Sequence, residues 1–227
     1  EREAGRDRFP AEDCGGGVSN PFAAVEAFER DLAEYAGCKY AVTTTSCTEA
    51  LLLCCACLRV GEVEIPRHTY VGVAQSILNA GGTVKFRDED WQGIYQLFPY
   101  FIFDAARRFR ALMCADYPFS YVCVSFHVSK ILGHTDGGAI LHSDDRADPI
   151  LRKMRFDGRT AGVHPKDDTF VRGFHCYMAP STAAALHRKL SHLPRDNADL
   201  PRSDYSDLSL APIFGGNVAK PVAEAAE

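Results

Sequence analysis

The sequence predicts an α/β fold with a mostly parallel sheet flanked by helices, and three observations predict it. Short apolar runs of strand length alternate with segments of helical periodicity, and a β-α-β-α-β rhythm of that kind belongs to α/β domains. The chain has 227 residues, 46% of them hydrophobic, which suits one large domain with a sizeable core. No long block of like charge occurs, and the formal net charge is only −5, so most of the chain falls outside the disordered class.

The elements follow in order. Residues 1–19 are charged and then glycine-rich and read as a loose arm. Asn20 is placed to cap a helix, Pro21 suits its first turn and Gly37 suits its end. Between them Phe22, Val25, Phe28, Leu32 and Tyr35 recur at helical spacing. Tyr40 to Thr44 reads as a strand, Thr48 to Leu58 as a buried helix, and Glu62 to Ile65 as a second strand. Val71 to Asn79 is a helix stopped by Gly81 and Gly82, and Val84 to Arg87 is a third strand. Further strands are predicted at Tyr100 to Asp104, Tyr121 to Phe126 and Gly138 to Leu141. Helices near Asp144 to Arg155 and Ser181 to Leu193 close a domain that spans 20–193. The remaining residues, 194–227, are polar and broken by Pro194, Pro201, Pro212 and Pro221, so they predict an irregular tail. No internal repeat is present.

Composition excludes several classes. The longest apolar run, Ala50 to Leu58, is far short of the roughly 20 residues a bilayer requires, which predicts no membrane span. Mild acidity argues against a nucleic-acid partner. The nine cysteines are an odd number, and Glu1 to Pro10 is charged rather than apolar, unlike a secretory signal. Cys54 and Cys57 have CxxC spacing inside an apolar run but lack a second pair at zinc-site distance. They read as reduced core thiols, with no metal site and a cytoplasmic setting.

Chemistry concentrates in a few places. Lysine is scarce, seven against eighteen arginines. Lys130 follows the apolar strand 121–126, and the carboxyl end of a buried strand is where open α/β sheets bind ligands. A desolvated lysine there can act as a Schiff-base nucleophile, although taken alone it reads better as a surface residue on a loop. Asp104 ends the run Tyr100 to Phe103 and needs either a cationic partner or a helix to cap. Thr44 to Thr48 is hydroxyl-rich and lies between a strand and a helix, which makes a phosphate cradle or an ordinary cap.

Together these segments resemble the DegT/DnrJ/EryC1/StrS aminotransferases, fold-type I enzymes that use pyridoxal phosphate to aminate keto-sugars. The resemblance runs from about Gly15 to Leu190 with a gap. Residues 46–51, Ser-Cys-Thr-Glu-Ala-Leu, are similar to the family's Ser-Gly-Thr-x-Ala-Leu phosphate turn. Residues 65–71 resemble its Pro-x-x-Thr-aromatic-Val segment, and Phe103 to Ala106 its Asp-Ala-Ala motif. Ser125 to Lys130 with Gly137 to Ala139 resembles its Ser-Phe-x-x-x-Lys and Gly-Gly-Ala signature. Gly173 to Met178 stands where the family has Gly-aromatic-Asn-x-x-Met.

The resemblance implies roles. Lys130 would carry the cofactor as a Schiff base and shuttle a proton, and Asp104 would pair with the pyridine nitrogen. Tyr70 would stack on the ring. Ser46, Cys47, Thr48 and Ser125 would hold the phosphate, with the Cys47 and Thr48 donors being backbone N–H groups. His175 would reach the phosphate of a neighbouring subunit's cofactor, since the family builds its sites across a homodimer. The implied partners are an amino donor, glutamate or glutamine, and a keto-sugar acceptor on a nucleotide diphosphate.

Departures from the pattern are also legible. Cys47 replaces a glycine and His175 an asparagine. Arg107 stands where the family has a glutamine near the cofactor's phenolic oxygen, and Arg107, Arg108 and Arg110 read either as a grip on an anionic substrate or as a solvated charged stretch. Only Glu89 to Phe98 fills the space where the family has a further strand and helix, and the polar tail stands where the family has a small C-terminal domain. Two other readings remain on the same residues: an unusual acceptor such as a modified nucleobase, or a non-catalytic dimeric scaffold. Lys130, Asp104 and Ser125 together speak against the scaffold.

Overall fold

The computed structural model describes residues 20–201 and 203–215, so the arm read at 1–19 and the end of the tail lie outside the described residues. Helix α1 (Ala23–Ala36) opens the fold. Asn20 caps it from just outside, its Oδ1 accepting from Phe22 N–H at 2.9 Å, and Gly37 closes it in the left-handed region at φ 75°. Strand β1 (Tyr40–Thr44) leads into α2 (Cys47–Cys57), and β2 (Glu62–Pro66) into α3 (Val71–Ala80). After these come β3 (Thr83–Arg87), β4 (Tyr95–Gln96), β5 (Ile102–Asp104), β6 (Tyr121–Ser125) and β7 (Gly138–His142). Helices α4 (Ala147–Arg155) and α5 (Pro180–Leu190) follow.

Five strands form one sheet in the order β1-β7-β6-β5-β4, and β2 and β3 form a second, parallel pair. A two-residue bridge joins them: Glu64 N–H donates to the Phe98 carbonyl at 2.7 Å and Phe98 N–H donates back at 3.1 Å. Arg87 adds to the seam by donating to the Glu64 and Gln96 carbonyls. The expectation of a mostly parallel sheet needs a correction at the level of pairing. The β5–β6 and β2–β3 ladders are parallel, whereas β1–β7, β6–β7 and β4–β5 are antiparallel. In direction, β1, β2, β3, β5 and β6 still run together and only β4 and β7 oppose them. β7 runs backward because its connection from β6 holds no helix and returns the chain beside β6. β4 runs backward because the short 89–98 stretch returns as a hairpin arm on β5.

Helices cover both faces. On β6, Val122 and Val124 pack against α1 and α5, while Tyr121 and Cys123 pack with α2 and α3, the period-2 alternation of a strand buried on both sides. Among the larger fully buried side chains are Phe28, Leu51, Leu53 and Phe126, each contributing about 1.5–3 kcal/mol on burial. After its polar first turn α2 is apolar and lies inside, so Cys47, Cys54 and Cys55 are buried and Cys57 partly so; no disulfide joins the described cysteines. Among the described residues no helix is long and apolar enough to cross a membrane.

The described residues after α5 make only short 3₁₀ turns, at Leu208–Leu210 and Pro212–Phe214, yet they lie against the body. Asn197 donates to the carbonyls of Phe109 and Pro194, Leu200 N–H to the carbonyl of Arg107, and Leu208 N–H to that of Arg67.

Candidate active site

The C-terminal ends of β1, β5 and β6, with the loop after β2, converge on a cavity of about 360 Å³. Ser46, Cys47, Thr48, Tyr70, Asp104, Arg107, Ser125 and Lys130 all line it. Of the residues singled out in the sequence, His175 does not. It lies on the surface at 3.0 Å from Asp157 with its ring against Tyr177.

The turn between β1 and α2 forms an anion cradle. Ser46 caps α2, its Oγ accepting from Glu49 N–H at 3.2 Å, so the N–H groups of Cys47 and Thr48 are first-turn donors with no partner inside the helix. The helix dipole adds positive potential there. Cys47, where a glycine was the pattern, begins the helix with an ordinary negative φ and needs no glycine. The glycine requirement falls instead on Gly138. A Cβ there would collide with the backbone N of Cys47 and approach the Ser46 carbonyl carbon at 2.5 Å. Gly137 and Gly138 thus let the cradle settle on the start of β7.

Asp104 is the buried carboxylate of the site. Its Oδ1 accepts from Ala106 N–H at 2.8 Å and its Oδ2 from the Tyr95 hydroxyl at 2.9 Å. Burial pushes its carboxyl above the usual range, opposed by those two donors and by the charges of Lys130 and Arg107. Lys130 sits in the turn after β6, its N–H bonded to the His127 carbonyl at 2.8 Å. Gly133 permits that turn, since a Cβ would come within 2.7 Å of the Lys130 carbonyl oxygen. Burial raises the Cys47 thiol well above its ordinary value, with the Asp104 charge adding to the effect, so it stays protonated near neutrality.

The arginine cluster divides. Arg108 forms a forked pair with Asp199 (2.9 and 2.5 Å) and also donates to Tyr117, and Arg110 pairs with Asp116 at 3.3 Å. Neither lines the cavity, so the reading of the whole cluster as a grip on an anion is corrected for these two. Arg107 does line it, but its guanidinium is directed to the tail, donating to Ser203 Oγ at 2.6 Å and to the Pro201 carbonyl.

Sequence reasoning missed Thr69, Trp91, Asp136, Ser203 and Tyr205, which also line the cavity, and Tyr95 behind it. Thr69 and Trp91 left traces, one inside the Pro-x-x-Thr segment and one as the chain's single tryptophan. Tyr205 left none; it reaches the wall by stacking on Trp91 at 6.3 Å.

This architecture, with the cavity at the carboxyl ends of the strands, is that of the fold-type I pyridoxal-phosphate transferases. Similar solved structures include S. venezuelae DesV in complex with a ketimine intermediate, at TM-score 0.60 and 23% identity over 75% of this chain and 57% of that one. Another is Bacillus subtilis NtdA with bound cofactor PMP, at TM-score 0.63 and 17% identity over 75% and 48%. The chain belongs to the DegT/DnrJ/EryC1/StrS aminotransferase family, whose model matches residues 13–97 and 118–202. The interval between those stretches holds Asp104 and Arg107, so their placement rests on the geometry above. A curated relative, the UDP-2-acetamido-2-deoxy-3-oxo-D-glucuronate aminotransferase of Pseudomonas aeruginosa, is 28% identical over 62% of this chain. The match covers 51% of that relative, so the chain spans about half its length.

Proposed function

We propose that this chain forms the cofactor-binding part of a pyridoxal-phosphate-dependent aminotransferase. In this reading it moves an amino group from a glutamate- or glutamine-like donor to a nucleotide-linked keto-sugar. The observation that carries the reading is the convergence of Lys130, Asp104 and the α2 cradle on one cavity. The residues fit the cofactor chemically. The cradle that Gly138 makes possible suits a phosphate, the buried carboxylate suits a cationic ring nitrogen, and the lysine suits an aldehyde carbon. The named relative, which acts on a 3-oxo nucleotide sugar by its name, favours a keto-sugar as acceptor.

Bound there, pyridoxal phosphate supplies the electron sink that lets a substrate carbon lose a proton. The protein does the rest. Cys47 and Thr48 N–H groups with the Ser125 hydroxyl would hold the phosphate, and the Tyr70 ring, half exposed at the mouth, would cover one face of the pyridine. Asp104 would keep the ring nitrogen protonated. Lys130 Nζ would hold the cofactor through its aldehyde carbon and, when free, would serve as the base that takes up the substrate carbon's proton. Trp91 and Tyr205 would exclude water from that side. His175, outside its own cavity, would serve the site of a second copy in a homodimer.

Purified protein given pyridoxal phosphate should turn yellow, and borohydride should fix the label on Lys130. Lys130→Ala should lose the fixed label completely. A protein that stays colourless and takes up no cofactor would falsify the reading. So would an unchanged label in the variant.

A further inference from the structure

We infer that Tyr95 is a positioning residue for Asp104: with Thr69 behind it, its hydroxyl holds the carboxylate oriented toward the cavity and favours its charged form. The inference deepens the proposed function and rests on it only for what Asp104 would meet. Tyr95 is fully buried and faces Asp104 directly in the β4–β5 register. It does not line the cavity. Its hydroxyl lies 2.9 Å from Asp104 Oδ2 and 2.6 Å from Thr69 Oγ1. A phenol has one proton, and an ionised carboxylate only accepts. Tyr95 therefore donates to Asp104, and the Thr69 hydroxyl donates to the Tyr95 oxygen.

The chain of donors has a direction, Thr69 to Tyr95 to Asp104, and each link strengthens the next in a low-dielectric interior. Thr69 is buried and sits just before Tyr70, so the chain ties the loop after β2 to the end of β5. Trp91 packs on Tyr95 with ring centroids 4.6 Å apart and donates from Nε1 to the His68 carbonyl at 3.0 Å, which fixes the ring plane. Tyr95 and Trp91 come from the short 89–98 stretch, and Thr69 and His68 from the loop after β2. With Tyr95 on Oδ2 and Ala106 N–H on Oδ1, the carboxylate cannot rotate, and its remaining lone pairs are left for a cation in the cavity.

The other groups near Asp104 do not replace this device. Lys130 and Arg107 act on it as charges, with no ion pair to it among the described residues. The Cys47 thiol on α2 and the Cys123 thiol on β6 are both pushed well up by burial and remain neutral. Burial itself raises Asp104, so removing a donor moves the carboxyl further from its ionised form at neutral pH.

The test uses the protein without cofactor, so that it does not depend on the proposed function. Aspartate carboxyl carbons are labelled with ¹³C, Asp104 is assigned by its loss in Asp104→Asn, and its titration is followed by NMR. In Tyr95→Phe, which keeps the ring against Trp91, the Asp104 midpoint should rise by about one pH unit, the size of one charge-assisted hydrogen bond. Thr69→Val should raise it in the same direction by less. A merely structural role for Tyr95 would lower the unfolding midpoint and leave the Asp104 titration in place. A Tyr95→Phe midpoint within about 0.2 units of the parent overturns the inference. Should Tyr95→Phe fail to fold, Thr69→Val decides alone, and an unshifted midpoint there overturns it equally.

Discussion

Asp104 and Glu29 are carboxylates buried to the same degree, 5% and 4% exposed, and their surroundings are opposite. Glu29, on α1, accepts from Thr43 N–H at 2.8 Å and Thr43 Oγ1 at 2.7 Å, from Arg152 at 2.6 Å, and from Arg155. Burial pulls its carboxyl upward, but the two arginines and Thr43 outweigh burial and hold it below the usual range. Asp104 has two neutral donors and no ion pair among the described residues, and burial leaves its carboxyl raised. The difference is what separates a fastening from a site. Glu29 has its cations built in and ties α1 and α4 to β1; Asp104 is oriented by hydrogen bonds and stands open to a cation brought from outside.

Substitution should separate the two. Asp104→Asn is expected to lower the rate at which glutamate bleaches the yellow band by about 10²–10³-fold, the scale of removing one preorganised electrostatic contact. Because the raised carboxyl means the charge disfavours the folded state, the variant's urea midpoint should not fall. A variant that unfolds more easily, yet reacts at the parent's rate when folded, would make Asp104 structural and erase the contrast.

Glu29→Gln should do the reverse, keeping cofactor uptake and losing about 3–5 kcal/mol of stability, because two arginines are left without their buried anion. The pH dependence follows with opposite signs. A folded-state pKa below the unfolded one means that Glu29 stabilises fully above the unfolded carboxylate range, near pH 4.3, and that this is lost as pH falls through the folded value. A folded-state pKa above the unfolded one means that Asp104 contributes the other way: its penalty grows as pH rises from the unfolded range to the folded value. Urea titrations across pH 3–7 should therefore show an acid-side stability loss that Glu29→Gln removes and Asp104→Asn does not. If both variants show the parent's pH profile, neither carboxylate differs from solvent-exposed ones.

Part of this contrast was legible in the sequence. Asp104 was marked by its place after four apolar or aromatic residues, and eight of the nine predicted site residues reach the cavity because strand ends are positions that a linear pattern can locate. Glu29 was not marked. It lies on a helix face that reads as polar, and its burial depends on Arg152 and Arg155, more than 120 positions away. Tyr95 and Tyr205 escaped for a related reason, since a two-residue strand and an irregular segment carry no periodicity. The sheet's strand directions followed from the alternation of helices and strands. The antiparallel insertion of β7 did not, because a helix-free connection can return on either side.

Arg107 is where sequence and structure still compete, and it gives the smallest expected effect. Its position invites contact with the cofactor or an anionic substrate, yet its guanidinium donates to Ser203 and to the Pro201 carbonyl, and its own carbonyl accepts from Leu200 N–H. In this geometry it pins the segment that carries Tyr205 over the cavity. The neighbouring Arg108–Asp199 pair holds the same segment, so losing one anchor should loosen rather than free it. Arg107→Gln should raise the rate of chymotrypsin cleavage at Tyr205 by about tenfold, the factor carried by ~1.4 kcal/mol of local opening, with KM changed by less than that. A large rise in KM for the acidic donor with unchanged cleavage would show instead that Arg107 turns from the tail to grip a substrate. In that case the cavity would contain a cation that does its work only when an anion arrives, the mirror image of Asp104.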